Sequence, residues 1–509
     1  MSILSPSPPA EAAARTARDA VLDMPPEQFR ALGHQLVDAL ADVMARIPAG
    51  RVAPDTTPAA MRAVLGADAP LPEHGADAGE LLARAARLMA ENSTFSGHPR
   101  FFGYVVSAPA PLGALAELIA TVTNPNVGAW GLSPLATEVE RQTVRWIAEL
   151  LGYPAECGGL LVSGGNMANL VCCIAASRAR AGWDVRTDGV AGGPPLVMYA
   201  TRQAHTWVHK AADVMGLGTD ALRWVPVDAE YRMDVAALRA MLMEDRARGA
   251  RPLLVAAAAG TVSTGAVDPL AALADVCEAE GVWLHVDGAY GAPAVLLPDA
   301  PADLRALGRA DSLAVDPHKW LYAPLEAGCV LVRDADALHR AFHFAPPYYR
   351  FDGQADDPPL NYFEWGPQNS RGFRALKVWL ALQNAGRAGY ARMIGDDVRM
   401  ARTLFHAAEA NPELQALTRG LSITTFRYVP PRLRDRMGQA DAEAELNDLN
   451  ARVLDRVQRG GEAYLSNAVL ADGCFALRAC VVNFRTTVDD MQALAEIVVR
   501  AGRELEGGS

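Results

Sequence analysis

Through the middle of this chain, short and almost uninterrupted apolar runs alternate with longer stretches of helical spacing. Gly158-Gly159-Leu160-Leu161-Val162, Leu196-Val197-Met198-Tyr199-Ala200, Gly281-Val282-Trp283-Leu284-His285-Val286, Ser312-Leu313-Ala314-Val315 and Gly328-Cys329-Val330-Leu331-Val332 are runs of this kind. Apolar runs of this length that do not alternate read as strands covered on both faces, as in a parallel sheet. The alternation of strand and helix from about residue 96 to 390 therefore predicts a large α/β domain with a mostly parallel, doubly wound sheet. Ahead of it, Pro25-Pro26-Glu27 opens a helix carrying Leu32, Leu36, Leu40 and Met44. A Pro/Ala/Gly-rich connection over about 48–79 leads to a second helix, Glu80 to Glu91. Beyond 390, Leu421 to Phe426 and Cys474 to Val482 read as strands and Met491 to Arg503 as a covering helix, a small α+β domain. The expected organisation is thus 1–95 helical, 96–390 large domain and 391–509 small domain.

Composition narrows the partners. Half of the 509 residues are hydrophobic, enough for a large core, and the net charge of −12 disfavours nucleic acid or an anionic membrane as partner. No apolar stretch approaches membrane-spanning length and Met1 to Pro6 lacks a secretory pattern, so a cytoplasmic protein is expected. The 7 cysteines have no CxxC spacing and mostly sit in apolar segments, which suits reduced core residues; no metal site is expected.

Charge usage points to the chemistry. Of the 47 basic residues only Lys210, Lys319 and Lys377 are lysine. Lys319 lies between two strands, in Asp316-Pro317-His318-Lys319-Trp320. A guanidinium keeps its proton, whereas an amine can attack a carbonyl and form an imine, so Lys319 is a candidate Schiff-base lysine as well as a candidate solvated charge. Asp287 ends the apolar run Gly281 to Val286, where open α/β sheets place ligand-binding groups. A carboxylate there can keep a pyridine nitrogen protonated, or simply cap a turn. Ser163-Gly164-Gly165-Asn166 joins a strand to a helical run, and such a turn either cradles a phosphate or merely connects the two, with Ser163 or Asn166 as cap. Phosphate, ring nitrogen and aldehyde carbon, each with its own partner, together describe pyridoxal phosphate.

Other segments follow in order: His98-Pro99-Arg100-Phe101-Phe102, Ser133 to Glu138, Ser163 to Asn166, His285 to Tyr290 and Pro317 to Trp320. This ordered set resembles the group II pyridoxal-phosphate decarboxylases, whose best-known members act on aromatic L-amino acids. The resemblance runs from about residue 29 to 500. It implies a fold like that of aspartate aminotransferase and a homodimer with active sites at the subunit interface, the 1–95 segment wrapping the other subunit. It further implies that His205 stacks on the cofactor ring, that Gly165, Asn166, Ala289 and His318 bind the cofactor with Lys319 and Asp287, and that Tyr348 is the proton donor. Tyr349 stands beside Tyr348 and is the alternative donor, while His209 and His285 match nothing and read as structural.

By position, Phe101, Tyr104, Val105 and Trp130 are expected to line an apolar substrate pocket. Where aromatic-specific relatives have Tyr-Phe-Pro, this chain has Tyr104-Val105-Val106, and Ser370 resembles a position where serine accompanies a histidine substrate. Tyrosine, tryptophan, DOPA and histidine remain open. Arg371 and Arg374 read as substrate or phosphate contacts, or as surface charges at a helix start. The expected reaction is decarboxylation to an amine. The alternatives are an aldehyde-forming enzyme, an aminotransferase or other lyase on the same lysine, and a silent binding protein; relatives that make aldehydes often lack the hydroxyl found at Tyr348.

Overall fold

The computed structural model describes residues 20–344 and 358–507. Among these, two compact units separate: residues 20–49 with 56–93, and residues 50–55 with 94–507.

The first unit is helical. Pro26–Arg46 and Ala78–Asn92 form where the apolar spacing places them, the second capped by Asp77, whose carboxylate accepts the Glu80 N–H at 3.0 Å. A third helix, Pro58–Leu65, lies inside the stretch read as a connection. Its signals are local: the Thr57 side chain caps the Ala60 N–H, Pro58 sits in the first turn, and Gly66 ends it at φ 68°. None of these three helices buries a residue.

The second unit is built on a seven-stranded sheet. In chain order its strands are β1 Gly158–Val162, β2 Leu196–Thr201, β3 Leu222–Val225, β4 Arg251–Ala258, β5 Trp283–Asp287, β6 Ser312–Val315 and β7 Gly328–Val332, arranged β1-β7-β6-β5-β4-β2-β3. The sheet is mixed. Pairings β6 to β5, β5 to β4, β4 to β2 and β2 to β3 are parallel, while β7 runs antiparallel to both β6 and β1. The reversal has a local cause, because residues 316–327 return the chain from β6 without a crossover helix, and a short return can only make an antiparallel pair. Alternate side chains serve two cores: Leu161, Val197, Val255 and Leu284 pack on one face, Leu160, Met198, Leu254 and Trp283 on the other.

A second sheet, β8 Leu414–Gly420, β9 Ile423–Tyr428, β10 Ser466–Val469 and β11 Phe475–Cys480, is antiparallel in the order β10-β11-β9-β8. With the helices Ala440–Gly460 and Val488–Gly507 it encloses its own core of Phe426, Leu449, Val453, Leu477, Leu494 and Val498. The helix Ala375–Ala410 runs through residue 390 and breaks at Gly386, whose φ of 61° only glycine adopts readily. All 7 cysteines are free, and no helix among the described residues is long and apolar enough to cross a membrane.

Candidate active site

Parallel strands present their carboxyl ends on one edge, and β5 delivers Asp287 there. Its carboxylate is held from two sides: the Trp207 indole N–H donates to Oδ2 at 2.7 Å and the Ala289 N–H to Oδ1 at 3.1 Å. Trp207 in turn packs edge-on against His285, ring centroids 5.3 Å apart. His285 is fully buried within a satisfied network. The Trp283 indole donates to Ser312 Oγ at 2.8 Å, which leaves that hydroxyl to donate to His285 Nδ1 at 2.8 Å; Nε2 then donates to Asn169 Oδ1 at 2.6 Å. Burial lowers its pKa to about 4, so the ring is neutral and serves to tie the helix Gly165–Arg180 to β5 and β6.

The glycine turn follows β1 directly, and the helix begins at Gly165. Gly164 has φ 145°, a region that side chains avoid, and a Cβ on Gly165 would stand 2.6 Å from Asp316 Oδ2. Both positions therefore require glycine, and the first-turn amides are left facing the cavity at the positive end of the helix.

Lys319 follows β6 in a turn closed by its N–H on the Asp316 carbonyl at 2.8 Å. Its Nζ lies 3.0 Å from Asp316 Oδ2. Burial acts to lower the pKa of this amine, but the charges of Asp316 and then Asp287 outweigh it and hold it above the ordinary lysine value. His318 donates from Nδ1 to the Ala327 carbonyl at 2.7 Å, since a carbonyl only accepts, and Ser107 Oγ donates to the His318 carbonyl at 2.8 Å. Burial lowers the His318 pKa, and likewise that of His205, whose Nδ1 accepts the Trp207 N–H at 3.3 Å. Both rings are consequently neutral near pH 7.

One cavity of about 390 Å³ collects Gly165, Asn166, His205, Asp287, Ala289, His318 and Lys319 in its walls, and of the expected pocket residues also Val105. Phe101, Tyr104 and Trp130 do not line it. Phe101 stacks on Tyr464, centroids 5.4 Å apart; Tyr104, with φ 54°, is 59% exposed and donates its backbone N–H to Ser466 Oγ at 2.7 Å; the Trp130 indole donates to Glu138 at 3.1 Å. Tyr348 and Tyr349 lie outside the described residues.

The structure adds groups that sequence reading passed over. Asp316 is buried, and among the described residues its Oδ1 lacks a partner beside the glycine turn. Arg371 is neither a surface charge nor a wall of this cavity. It is buried, ion-paired with Glu140, donating to the carbonyls of Leu161 at 2.7 Å and Val127 at 2.9 Å, and stacked over Tyr362 at 4.5 Å. Glu140 also accepts the Leu161 N–H at 2.8 Å, so the pair pins β1 just ahead of the glycine turn. Arg374 pairs with Glu326 at 3.0 Å. Only the paired partner, 231 residues away, marks Arg371 as structural.

These walls suit pyridoxal phosphate: amides and glycines leave room for an anion, an orphaned buried carboxylate oxygen awaits a polar neighbour, and an amine and a strand-end carboxylate face the same space. Such a cavity defines the pyridoxal-phosphate class of enzymes, those that use a lysine amine to hold the cofactor. Comparison with known proteins narrows the class. The pyridoxal-dependent decarboxylase conserved domain matches residues 58–429, and the chain belongs to that family. It is a pyridoxal-phosphate-dependent carboxy-lyase.

An aromatic-L-amino-acid decarboxylase of Bacillus atrophaeus is 34% identical over 485 residues, covering 94% of this chain and 97% of its own. A phenylacetaldehyde synthase of Petunia hybrida is 28% identical, covering 90% of each chain. Among solved structures, Oryza sativa TDC with PLP and tryptamine superposes with a TM-score of 0.87 at 27% identity, covering 95% of this chain and 99% of its own.

Proposed function

We propose that the protein converts an aromatic L-amino acid to its amine and CO₂, working as a homodimer in the cytoplasm. The observation that carries the substrate class is the end-to-end similarity to an aromatic-L-amino-acid decarboxylase at 34% identity. When bound, pyridoxal phosphate supplies the electron sink for the pair left behind as CO₂ departs. The protein's residues do the rest. Lys319 offers the amine that anchors the aldehyde carbon, and the first-turn amides from Gly165 and Asn166, with His318 alongside, take the phosphate. Asp287, its orientation fixed by Trp207 and Ala289, keeps the ring nitrogen protonated. His205, neutral by burial, is able to stack on the ring without adding charge to it. Tyr348 delivers the proton to Cα once CO₂ has left.

A homodimer is supported by apolar surface left open in one chain. Leu115, Leu118, Ile119 and Val122 of the helix Pro111–Thr123 are exposed, and Leu132 and Leu135 border a groove of about 1130 Å³ beside Ile119 and Trp379. Seven free thiols without a disulfide fit a reducing compartment.

Aldehyde formation is the second reading, favoured by the 28% identical phenylacetaldehyde synthase and opposed by the tyrosine at 348. Mass spectrometry of the cofactor-loaded protein incubated under air with tyrosine, tryptophan, DOPA and histidine tests both. An amine one CO₂ lighter than an aromatic substrate is expected. Aldehyde with ammonia and peroxide would replace the proposal by the second reading, and consumption of histidine alone would overturn the substrate class. Tyr348→Phe should sharply cut amine formation with the cofactor still bound; unchanged amine yield removes Tyr348 from the mechanism.

A further inference from the structure

We propose that His339, His343 and Glu364 form a binding site for a divalent transition-metal ion of the zinc type, apart from the cavity around Lys319. The expectation of no metal rests on the cysteine spacing; here two imidazoles come from one helix and the third ligand is supplied by the fold. His339 and His343 stand four residues apart at the end of the helix Asp336–Phe342, and the His343 N–H still donates to the His339 carbonyl at 2.8 Å, so both rings emerge from one face. The rings lie 4.4 Å apart and turn to the same carboxylate. Glu364 Oε1 is 3.1 Å from His343 Nδ1, and Oε2 is 3.9 Å from His339 Nε2. One ligand atom from each residue falls within 4.8 Å of the others. In a tetrahedral zinc site with bonds of about 2.0–2.1 Å, ligand atoms stand roughly 3.4 Å apart, so a pair at the 4.8 Å limit must close by about 1.4 Å, roughly 0.7 Å for each side chain.

Both supporting elements are anchored. Ala337, Leu338 and Ala341 bury the inner face of the helix, and the turn Tyr362–Glu364 is pinned by buried Tyr362 and by the Phe363 N–H on the Gly128 carbonyl at 3.0 Å. The nearby cations are engaged elsewhere: Arg340 pairs with Asp334, and Arg186 donates to the Arg340 carbonyl at 3.0 Å and the His343 carbonyl at 2.6 Å. Among the described residues, Glu364 is thus left to the two imidazoles. The histidine side chains are 43% and 44% exposed against 17% for Glu364, which opens the outer side of the site to water as a fourth ligand. Two imidazoles and one carboxylate favour zinc, cobalt or nickel over magnesium or calcium, which prefer oxygen alone.

Chelator-treated, cofactor-loaded protein titrated with Zn²⁺ should take up one ion per chain with a Kd on the order of 1 µM or tighter. His339→Asn and His343→Asn should each weaken binding by about tenfold or more, and the double variant should abolish it, with the cofactor absorbance reporting that each variant is folded. Co²⁺ in the wild-type protein should give an intense visible spectrum of low-coordinate nitrogen and oxygen ligation. Equal Zn²⁺ affinity in wild type and double variant, a Co²⁺ spectrum with thiolate charge-transfer bands, or no uptake at tens of micromolar metal would each overturn the assignment. Where a histidine variant does not fold, Glu364→Gln tests the same site: it should also weaken Zn²⁺ binding, and an unchanged affinity would overturn the assignment.

Discussion

Replacing Asp316 by asparagine should accelerate loading of the cofactor-free protein. The Lys319 amine is held above the ordinary lysine pKa in spite of burial, chiefly by the charge of Asp316 with Oδ2 at 3.0 Å and then by that of Asp287. In the cofactor-free state the future nucleophile is therefore stored as an ammonium, and the neutral fraction at pH 7.5 is below the roughly 0.1% of an unperturbed lysine. Removing the nearer charge releases proton affinity. Two unit charges at that separation interact by about 1.4 kcal/mol even at the dielectric of bulk water, and by more inside a protein, which sets a floor of about tenfold on the gain in free amine. Asparagine keeps the shape, so the turn closed by the Lys319 N–H on the residue 316 carbonyl survives. The assay is stopped-flow absorbance at pH 7.5, mixing excess pyridoxal phosphate with cofactor-free protein and following the band of the lysine linkage. The second-order rate constant of Asp316→Asn should exceed that of wild type by about tenfold or more. Pyridoxal, which lacks the phosphate, should show the same gain, because the effect acts on the amine and not on anion repulsion in the glycine turn. An unchanged or slower rate with both aldehydes would refute the reasoning.

Three other perturbations test the supports of the site. Trp207→Phe keeps the ring on His285 but removes the 2.7 Å donor to Asp287, a hydrogen bond to a charged group worth about 1.5–3 kcal/mol; kcat should fall by about tenfold or more, and an unchanged kcat with unchanged cofactor affinity would show that Asp287 needs no such hold. Arg371→Met strands the Glu140 carboxylate in the core and should cost about 3–5 kcal/mol in urea unfolding, whereas Glu140→Leu combined with Arg371→Met should recover most of it; a double variant no more stable than the single one would refute the pairing. His285 has a folded pKa of about 4 against 6.5 unfolded, so the unfolded chain binds more protons between these values. The stability from keeping this ring neutral is complete above about pH 6.5 and is lost as pH falls towards 4, by roughly 3 kcal/mol at 1.36 kcal/mol per unit. His285→Gln should flatten the pH dependence of the urea midpoint across that window, and superimposable curves would contradict a neutral buried imidazole.

What sequence reading could see followed from locality. Asp287, Gly165 and Lys319 each sit where a strand ends or a helix begins, and those boundaries are written in neighbouring residues, so their convergence at one sheet edge follows from the fold class. The helix Pro58–Leu65 carried equally local signals in Thr57, Pro58 and Gly66, but the surrounding Pro and Gly content masked them. Contacts between distant segments left no such trace. Tyr464 against Phe101, Glu140 against Arg371 and Glu364 against the two histidines depend on elements brought together only by packing. The strand, polar turn and strand around Lys319 were legible, but the direction in which β7 pairs was not.

The near absence of lysine acquires a physical reading from these sites. Arg371 bonds three separate acceptors, the Glu140 carboxylate and the carbonyls of Leu161 and Val127, while its flat face covers the Tyr362 ring. A planar fork suits that divergent set, and a compact ammonium does not. Among the described residues Lys377 meets one acceptor, since its buried stem carries the ammonium to Glu117 at 2.7 Å. Lys319 differs from both, because its nitrogen meets Asp316 on one side and open cavity on the other. Arginine would satisfy the Asp316 and Asp287 charges equally well there, so electrostatics alone does not explain the residue. Bond formation does, since only an amine that can give up its proton is able to join an aldehyde carbon. The same two carboxylates that make Lys319 a poor nucleophile in the empty cavity also guard it there, and the proton it must lose connects its reactivity to the charge on Asp316.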